Sequence, residues 1–325
     1  LTGKGIKELL VSRSFPTASV RLFATRTDPE ANLTEFAGEA MLVTEPDPDA
    51  LGRLDLAFFC GTPDEGARYL DWPRQRGFVG IDLTTASNGA EGVPLVNMTV
   101  NPEEVSPAPG IIATPHPIAQ LVSNLLAPVV QGCGPVEAAA VVFQPASECG
   151  EGGIEELYQQ TLGLLNFQDQ PQRIFGRQLA FNLIPASIYG SGTEPGGARR
   201  RHLEQEVRKV ARGDYRLSLQ VVLAPVFHGH AALLHLVLPP GVSKDALLGC
   251  YSDSDEVTLG RPGEPATPVE RAGQPGVRIG VIDPGGSPST YWIWAVSDNL
   301  VSGTALNAVR IAETLLERGL AGDAS

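Results

Sequence analysis

The sequence predicts an α/β fold with a parallel sheet in the first part of the chain and an α+β arrangement in the second part. Over the first 134 residues, short apolar runs alternate with helix-like segments, which is typical of parallel strands joined by helical crossovers. Beyond that point, strand-like segments outnumber helices. A length of 325 residues further suggests about two domains.

The first part opens on a helix. GIKELLVSR (5–13) carries Ile6, Leu9 and Leu10 at the helical spacing i, i+3 and i+4. A short helix is predicted over DEGARYLDWPRQRG, ending or kinking near Pro73, and a further helix over about 118–130. Strands are predicted at 20–25, 54–63, 78–86 and 111–114, of which the one at 54–63 is expected to be buried.

The second part is predicted to contain more strands. LSLQVVLAPVF (217–227) and AALLHLVL (231–238) resemble two strands paired around the turn His228-Gly229-His230. Residues 252–290 are rich in Gly, Pro and Asp and are expected to be largely loop. Other strands are predicted at 136–144, at VRIGVIDP and at YWIWAVSDN, and helices at 155–166, 198–211 and 305–320.

The composition narrows the classes of partner. The net charge of −13 disfavours phosphate backbones and anionic membrane surfaces, so we expect no nucleic acid and no membrane as partners. No run approaches the roughly 18 apolar residues of a membrane span, and the first residues do not resemble a signal peptide. The four cysteines have no metal-ligand spacing, so free thiols in the cytoplasm are expected: Cys60, Cys133, Cys149 and Cys250.

Several residue patterns are candidates for function, each with a structural alternative. Gly3-Lys4-Gly5 before a helix suits a phosphate-binding loop or an ordinary helix start, and a parallel domain that opens on a helix suggests that its first strand is missing from this numbering. His228 and His230 suit metal binding or a surface hairpin, but without a third ligand nearby we expect no metal. Arg199-Arg200-Arg201 could hold an anion or form a solvated helix face.

Two stretches carry a family resemblance. SDNLVSGTALNAVRIAETLL (297–316) is similar to the C-terminal D-N-L-R-K-G-A-A-L-N-A signature of aspartate-semialdehyde dehydrogenases. VVFQPASECGEGGIEELYQQT (141–161) resembles the Q-A-x-S-G-A-G segment of the same family. Weaker matches at FFCGTP, GFVGIDLTTASN, IIATPHPIAQ and PVFHGHA follow in the same order, so the resemblance covers essentially the whole chain.

The resemblance implies a two-domain fold. A Rossmann-like NADP-binding domain would comprise residues 1–116 and 301–325, with the C-terminal helix returning to it. An α+β catalytic and dimerisation domain would comprise residues 117–300. It also implies a homodimer, and a reaction in which a cysteine forms a thioester, a hydride passes to or from NADP, and a histidine acts as acid and base.

Some functional positions of the family are retained. Its glutamine falls on Gln144 and its acid–base histidine on His230. Arg26 follows a predicted strand and could meet the 2′-phosphate of NADP, or could belong to an ordinary turn. The positions that match family contacts to NADP are Gly3, Arg26, Gly61, Thr62, Ser147 and Asn299.

Other positions of the family are substituted. The nucleophilic cysteine would fall on Pro117, which cannot form a thioester. The arginine that holds the substrate carboxylate would fall on Leu223. The phosphate-binding arginine would fall near Asn88, and the lysine of D-N-L-R-K-G would fall on Ser302. The lysine of the charged helix would fall near His202, and its glutamate partner near Arg199 or Arg200. Pro117 suits the first turn of a helix, and His116 is expected to be a cap or pocket-wall residue.

These substitutions favour a degenerate active site on a dehydrogenase scaffold, unable to carry out phosphorylating NADP-dependent dehydrogenation. The alternative is a working oxidoreductase with altered chemistry, in which Cys149 is a relocated nucleophilic thiol and His230 is its base. Cys149 could instead be a small residue that packs in the core and has no catalytic role. A third hypothesis is a true semialdehyde dehydrogenase of amino-acid biosynthesis whose catalytic residues are aligned differently.

Overall fold

A computed structural model describes residues 2–25, 32–48, 51–187, 196–252, 254, 256–261, 264 and 266–320. The chain forms two compact units. The unit that we call N-terminal comprises Thr2–Met98, Pro102–Thr114 and Ala305–Ser325. The unit that we call central comprises Thr99–Asn101 and Pro115–Thr304.

The helices, in chain order, are α1 (Thr2–Ser12), α2 (Pro63–Ala67), α3 (Trp72–Arg76), α4 (Pro117–Cys133), α5 (Gly150–Leu165), α6 (Gly196–Val210), α7 (Lys244–Gly249), α8 (Pro268–Arg271) and α9 (Leu306–Glu317). The strands are β1 (Leu22–Phe23), β2 (Leu33–Phe36), β3 (Glu39–Thr44), β4 (Leu56–Phe59), β5 (Val79–Asp82), β6 (Gly110–Ala113), β7 (Val136–Gln144), β8 (Ile184–Pro185), β9 (Tyr215–Leu223), β10 (His230–Val237), β11 (Val257–Leu259), β12 (Val277–Pro284) and β13 (Thr290–Ser297).

The N-terminal unit contains a parallel sheet of order β4-β5-β6 and a small sheet of order β1-β3-β2. Helices α1 and α9 pack against each other, and their apolar faces join the parallel sheet in one core that includes Ile6, Ile81 and Val309. The C-terminal helix therefore belongs to this unit, as the predicted fold class requires.

The central unit is built on a seven-stranded mixed sheet of order β11-β12-β13-β10-β7-β9-β8. Strand β7 alternates between buried and more exposed residues, as expected for a sheet with one face in the core. Buried residues of α4, α5 and α6 join that face in one hydrophobic core. A parallel α/β unit followed by an α+β unit confirms the predicted fold class.

The predicted pairing of 217–227 with 231–238 is wrong, because β7 lies between β9 and β10. Strand β9 runs parallel to β7 and both end at the same edge, where Gln144 pairs with Leu223. The chain then crosses the end of β7, and Ala224 donates its N–H to the Gln144 carbonyl at 2.9 Å. His228-Gly229-His230 is therefore a strand entry and not a hairpin turn.

Two smaller predictions are also corrected. Residues 64–77 form two short helices, and Pro73 lies in the first turn of the second, where its missing N–H is not needed. The segment 252–290 is less irregular than expected, because α8, β11 and the start of β13 lie in it in addition to the predicted strand β12. None of the described helices is long and apolar enough to cross a membrane. Arg26 lies outside the described residues.

Candidate functional site

Four side chains form a row at one end of the central sheet. The strand register pairs Gln144 with Leu223 and His230 with Ser297. Strands β7 and β10 are antiparallel and pair Ala231 with Phe143, so extending this register by one residue places His230 beside Gln144. Opposed residues of neighbouring strands project to the same face, and all four are buried. The row Leu223, Gln144, His230 and Ser297 thus brings three polar side chains to one face of the strand ends.

A helix start lies close to this part of the central unit. His116 is the N-cap of α4, and its Nδ1 accepts a hydrogen bond from the Ile118 N–H at 3.2 Å. The His116 N–H donates to the Glu206 carboxylate at 2.7 Å. These bonds satisfy backbone donors that a helix start leaves without partners. His116 is therefore a cap, as expected.

Pro117 occupies the first helical position, where the sequence also placed it. Its ring lies against Gly303: a Cβ built on Gly303 would lie 3.0 Å from the Pro117 Cβ. That separation is tighter than ordinary van der Waals contact, so a larger residue at position 303 would force the ring or the backbone to shift by a few tenths of an ångström. The turn presents a saturated ring and no nucleophilic atom.

The loop after β7 is tied to the segment after β13. Asn299 donates from Nδ2 to the Ser147 hydroxyl at 3.0 Å and accepts from the Gly229 N–H at 2.9 Å. Ser147 donates its own N–H to the Phe227 carbonyl at 3.0 Å. Ser147 and Asn299, two of the expected cofactor contacts, therefore hold three segments of the central unit together.

Glu148 lies between the two candidate histidines. One carboxylate oxygen, Oε2, is 3.3 Å from His116 Nε2. The other, Oε1, accepts from Asn299 Nδ2 at 3.3 Å and lies 3.8 Å from His230 Nε2, too far for a hydrogen bond. Arg199 Nη2 lies 3.4 Å from His116 Nε2. A carboxylate, a guanidinium and two imidazoles thus form one polar cluster.

The tautomer of His116 follows from its cap. Because Nδ1 accepts the Ile118 N–H, it carries no proton, and neutral His116 must carry its proton on Nε2. The Nε2–H group then faces Glu148 Oε2 at 3.3 Å and Arg199 Nη2 at 3.4 Å, and the Arg199 contact is not a hydrogen bond in this tautomer because both groups are donors. The helix cap therefore fixes the tautomer of neutral His116.

Burial dominates the electrostatics of the cluster. Burial, with a further contribution from the Arg199 charge, lowers the pKa of His230 to about 3. Burial also holds the pKa of His116 well below its ordinary value, helped by Arg199 and His230. Burial raises the pKa of Glu148, while Arg199 and the Asn299 hydrogen bond lower it. Both imidazoles are therefore neutral near pH 7.

This arrangement predicts a pH dependence of stability. Between about pH 6.5 and 3, folded His230 binds fewer protons than the unfolded chain does, so the free energy of unfolding falls as the pH falls through that window. The raised pKa of Glu148 acts in the opposite direction and makes the loss smaller. We expect His230→Gln to show a shallower decrease than the native chain between about pH 7 and 5 in urea unfolding.

The matched control for this prediction is His202→Gln, because His202 is an exposed histidine on α6. Its pH dependence should equal that of the native chain. Equal slopes for the native chain and for His230→Gln would contradict the assignment of a neutral buried imidazole at position 230.

The remaining cofactor candidates lie in the N-terminal unit. Gly3 lies in the first turn of α1, and a Cβ built there would lie 3.7 Å from the Cys60 Cβ, just beyond the end of β4. Gly61 follows, and Thr62 caps α2 in a capping box with Glu65. The start of an 11-residue helix therefore lies at the carboxyl end of a parallel strand.

The expected phosphate-arginine position, Asn88, is buried. It follows a loop organised by Asp82, whose carboxylate accepts hydrogen bonds from the N–H and hydroxyl groups of Thr84 and Ser87 at 2.5–2.9 Å. This role of Asp82 is not apparent from the sequence. No positive charge stands at position 88.

The four cysteines lie in three different environments. Cys149 packs against the core of the central unit. The Sγ atoms of Cys133 and Cys250 are 3.4 Å apart, and burial raises the pKa of Cys250 to about 12. Burial raises the pKa of Cys60 in the N-terminal unit to about 12 as well. The part of the chain that the structure describes contains no group of three side chains suited to a metal ion.

Glu148 was missed as a site residue at the sequence level, and so was the proximity of Arg199 to His116. Of the arginine triplet, Arg199 enters the cluster while Arg201 is exposed. In the sequence, Glu148 was recognisable as an acidic residue inside the Q-x-x-S-x-C-G segment. His116, Arg199 and Asn299 lie 32, 51 and 151 positions away from Glu148, so only the tertiary structure brings these residues together.

Comparison with known proteins gives consistent matches. Residues 1–108 match the family model described as semialdehyde dehydrogenase, NAD binding domain, and residues 126–302 match semialdehyde dehydrogenase, dimerisation domain. An aspartate-semialdehyde dehydrogenase of Synechocystis is 29% identical, covering 98% of this chain and 95% of the relative. A USG-1 protein homolog of Azotobacter vinelandii is 27% identical, with coverage of 98% and 95%.

Solved structures agree with these sequence matches. The crystal structure of aspartate semialdehyde dehydrogenase II from Vibrio cholerae, complexed with ASA, is similar with a TM-score of 0.87 and 27% identity. The match covers 98% of this chain and 95% of that chain.

Proposed function

The chain belongs to the semialdehyde dehydrogenase family, and from that premise we propose that it has a degenerate active site that does not form a thioester. It would bind a nicotinamide dinucleotide and a small ligand on the family fold. It would not carry out the phosphorylating, NADP-dependent dehydrogenation of aspartate semialdehyde.

The observation that carries this proposal is the chemistry at position 117. Thioester formation needs a thiolate sulfur that can attack a carbonyl carbon. Pro117 supplies no such atom, and its ring packs against Gly303 at the start of α4. His116, the neighbouring residue, uses Nδ1 as the helix cap.

The anion anchors of the family mechanism support the same proposal. Leu223, at the position of the substrate-carboxylate arginine, is fully buried in the apolar core. Asn88 stands at the position of the phosphate-binding arginine. Neither side chain can form the bidentate, charge-assisted contact that arginine makes with a carboxylate or phosphate.

The N-terminal unit fits a dinucleotide. The start of α1 lies beside the end of β4, the place where parallel sheets bind the pyrophosphate on free helix N–H groups. Gly3, Gly61 and Thr62 would approach the cofactor there, and we propose that Arg26, Ser147 and Asn299 contribute as well. When bound, the nicotinamide would supply or accept a hydride. We propose NADP as the nucleotide because the resemblance implies it.

The buried Gln144 amide supports ligand binding in the central unit. Neither its Oε1 nor its Nε2 has a hydrogen-bond partner among the described residues, and an unpaired buried amide is costly. A carbonyl or hydroxyl group of a ligand would satisfy it, with His230 as its neighbour in the same row. The central unit would also form a homodimer, since it matches the dimerisation family.

The alternative is a working oxidoreductase that uses Cys149. Its position directly after Glu148 in the polar loop favours this reading. The packing of the Cys149 side chain against the apolar core instead favours a structural role without catalysis. Cys149→Ser would abolish turnover under the alternative and would leave ligand binding unchanged under the main proposal.

The test of the proposed function is an assay with aspartate semialdehyde, phosphate and NADP, run beside the Vibrio cholerae relative. We expect no NADPH formation by this chain above the blank. Titration with NADPH, followed by fluorescence, should still show binding. Turnover comparable to that of the relative would contradict the proposed degenerate active site. The absence of NADPH binding would contradict the proposed cofactor.

A further inference from the structure

Two cysteines of the central unit lie side by side, away from the candidate site. Cys133 is the last residue of α4 and Cys250 is the C-cap of α7, and their Sγ atoms are 3.4 Å apart. A disulfide needs about 2.05 Å between its sulfurs, so the two atoms have only a short distance to move. Both side chains are half-buried, and each is therefore partly accessible to a small molecule in solution.

The packing of α7 on α4 holds this pair together. The two helices contact each other, and Leu247 of α7 is fully buried in the core of the central unit. Tyr251, which directly follows Cys250, is also buried and donates its hydroxyl to the Leu125 carbonyl of α4 at 2.7 Å. The thiols are therefore brought together by the core and not by a chance approach of mobile surface side chains.

The last turn of α4 leaves room for the second sulfur. A Cβ built on Gly132 would lie 2.7 Å from the Cys250 Sγ, so a larger residue there would displace the sulfur. The Cys250 thiol also contacts the Ala246 carbonyl of its own helix at 3.4 Å. The absence of a side chain at position 132 thus lets the Cys250 sulfur lie beside Cys133.

We propose that Cys133 and Cys250 form a reversible oxidation site, at which a small-molecule disulfide such as oxidised glutathione converts the two thiols into an intramolecular disulfide. The new bond ties the end of α4 to the end of α7. The inference goes beyond the proposed function and does not depend on it, because neither thiol belongs to the candidate site.

The oxidation proceeds by two thiol–disulfide exchange steps. Burial, together with the hydrogen bond to Cys133, raises the pKa of Cys250 to about 12, so Cys133 supplies the first thiolate. It attacks one sulfur of oxidised glutathione, whose S–S bond breaks, and one glutathione leaves with the proton that Cys133 lost. Cys250 then attacks the Cys133 sulfur, and the second glutathione leaves with the Cys250 proton. Two protein thiols are oxidised, and one oxidised glutathione is reduced to two thiols.

The fold should favour this bond strongly. The two cysteines are 117 positions apart in the chain, so the disulfide closes a long loop and restricts the unfolded chain. A bond that stabilises the folded state also forms more readily in the folded state, and by the same factor, because the four states form a thermodynamic cycle. For a loop of this length we expect a factor of at least about 100.

The test uses Cys60→Ser combined with Cys149→Ser, which leaves only the proposed pair. The variant would be equilibrated with mixtures of reduced and oxidised glutathione, in buffer and in concentrated urea, then quenched in acid and analysed by intact-mass spectrometry after alkylation. The folded chain should be half oxidised at a ratio [GSH]²/[GSSG] at least about 100-fold higher than the unfolded chain requires. Peptide mapping of the oxidised native chain should identify one cross-link, between Cys133 and Cys250.

The control adds Cys250→Ser to the same background. It should form a mixed disulfide between Cys133 and glutathione and no intramolecular bond. Equal ratios for the folded and the unfolded chain would overturn the proposal, as would glutathione adducts without the cross-link or a disulfide between two copies of the chain. Should the serine variants fold poorly, the native chain gives the same comparison, with peptide mapping used to count the Cys133–Cys250 bond alone.

Discussion

Replacing Arg199 by glutamine is expected to destabilise the protein by about 1 kcal/mol near pH 7, because the Arg199 charge, which lowers the pKa of the buried Glu148 carboxyl, is lost. The loss should appear in urea unfolding as a lower midpoint with an unchanged slope. Arg199 is only partly buried, so solvent screening keeps the expected value below that of a fully enclosed pair.

Arg201→Gln is the matched control, since Arg201 lies on the same helix and is exposed. We expect it to change stability by less than about 0.5 kcal/mol. Glu148→Gln should recover part of the loss in the Arg199→Gln background, because the neutral amide needs no counter-charge. Equal stability of the Arg199→Gln and Arg201→Gln variants would mean that Arg199 does not support the buried carboxylate.

Replacing Leu223 by arginine is expected to cost more than about 4 kcal/mol, the larger of the two effects. Leu223 is fully buried, and β9 lies between β7 and β8 at this register. A guanidinium there would replace a fully buried apolar side chain of the hydrophobic core, and burying a charge is among the most destabilising single changes. The measurement is again urea unfolding, followed by circular dichroism.

Leu223→Met is the control, because it keeps apolar volume and should cost less than about 1.5 kcal/mol. A consequence follows for any attempt to rebuild the family site. Pro117→Cys combined with Leu223→Arg should fold poorly, so activity would require further changes around position 223. A stable Leu223→Arg variant would contradict the view that position 223, where the family has its substrate-carboxylate arginine, is now part of the hydrophobic core.

The sequence predicted the strands of the N-terminal unit well where apolar runs are continuous. FVGIDLTTA contains β5, and each of the four residues of that strand is buried. Strands β2 and β3 were missed because LTEF and EAMLVT lie mostly exposed in a small sheet. Hydrophobic periodicity carries little information about strands of that kind.

Pairing of the strands in the central unit was harder to predict than their existence. The segments 217–227 and 231–238 are adjacent in the chain, and adjacency favours a hairpin. The parallel pairing of β7 with β9 overrides it and inserts β7 between them. This order depends on contacts distant in sequence, which no local pattern contains.

The candidate site likewise combines features that the local sequence predicts with features that depend on contacts distant in sequence. The cap at His116 and the first-turn position of Pro117 follow from local helix chemistry, and the structure shows both. The cluster around Glu148 unites residues from four separate segments of the chain. A single acidic residue in the loop after β7 gave no means of identifying its partners from the sequence.

The most direct test of the central claim is intact-mass spectrometry for an acyl-enzyme. The protein would be mixed with aspartate semialdehyde and NADP in the absence of phosphate, beside the Vibrio cholerae relative, and quenched in acid. We expect the native chain to show no added mass, because no thiolate stands at position 117. An added acyl group on any cysteine, Cys149 above all, would contradict the account.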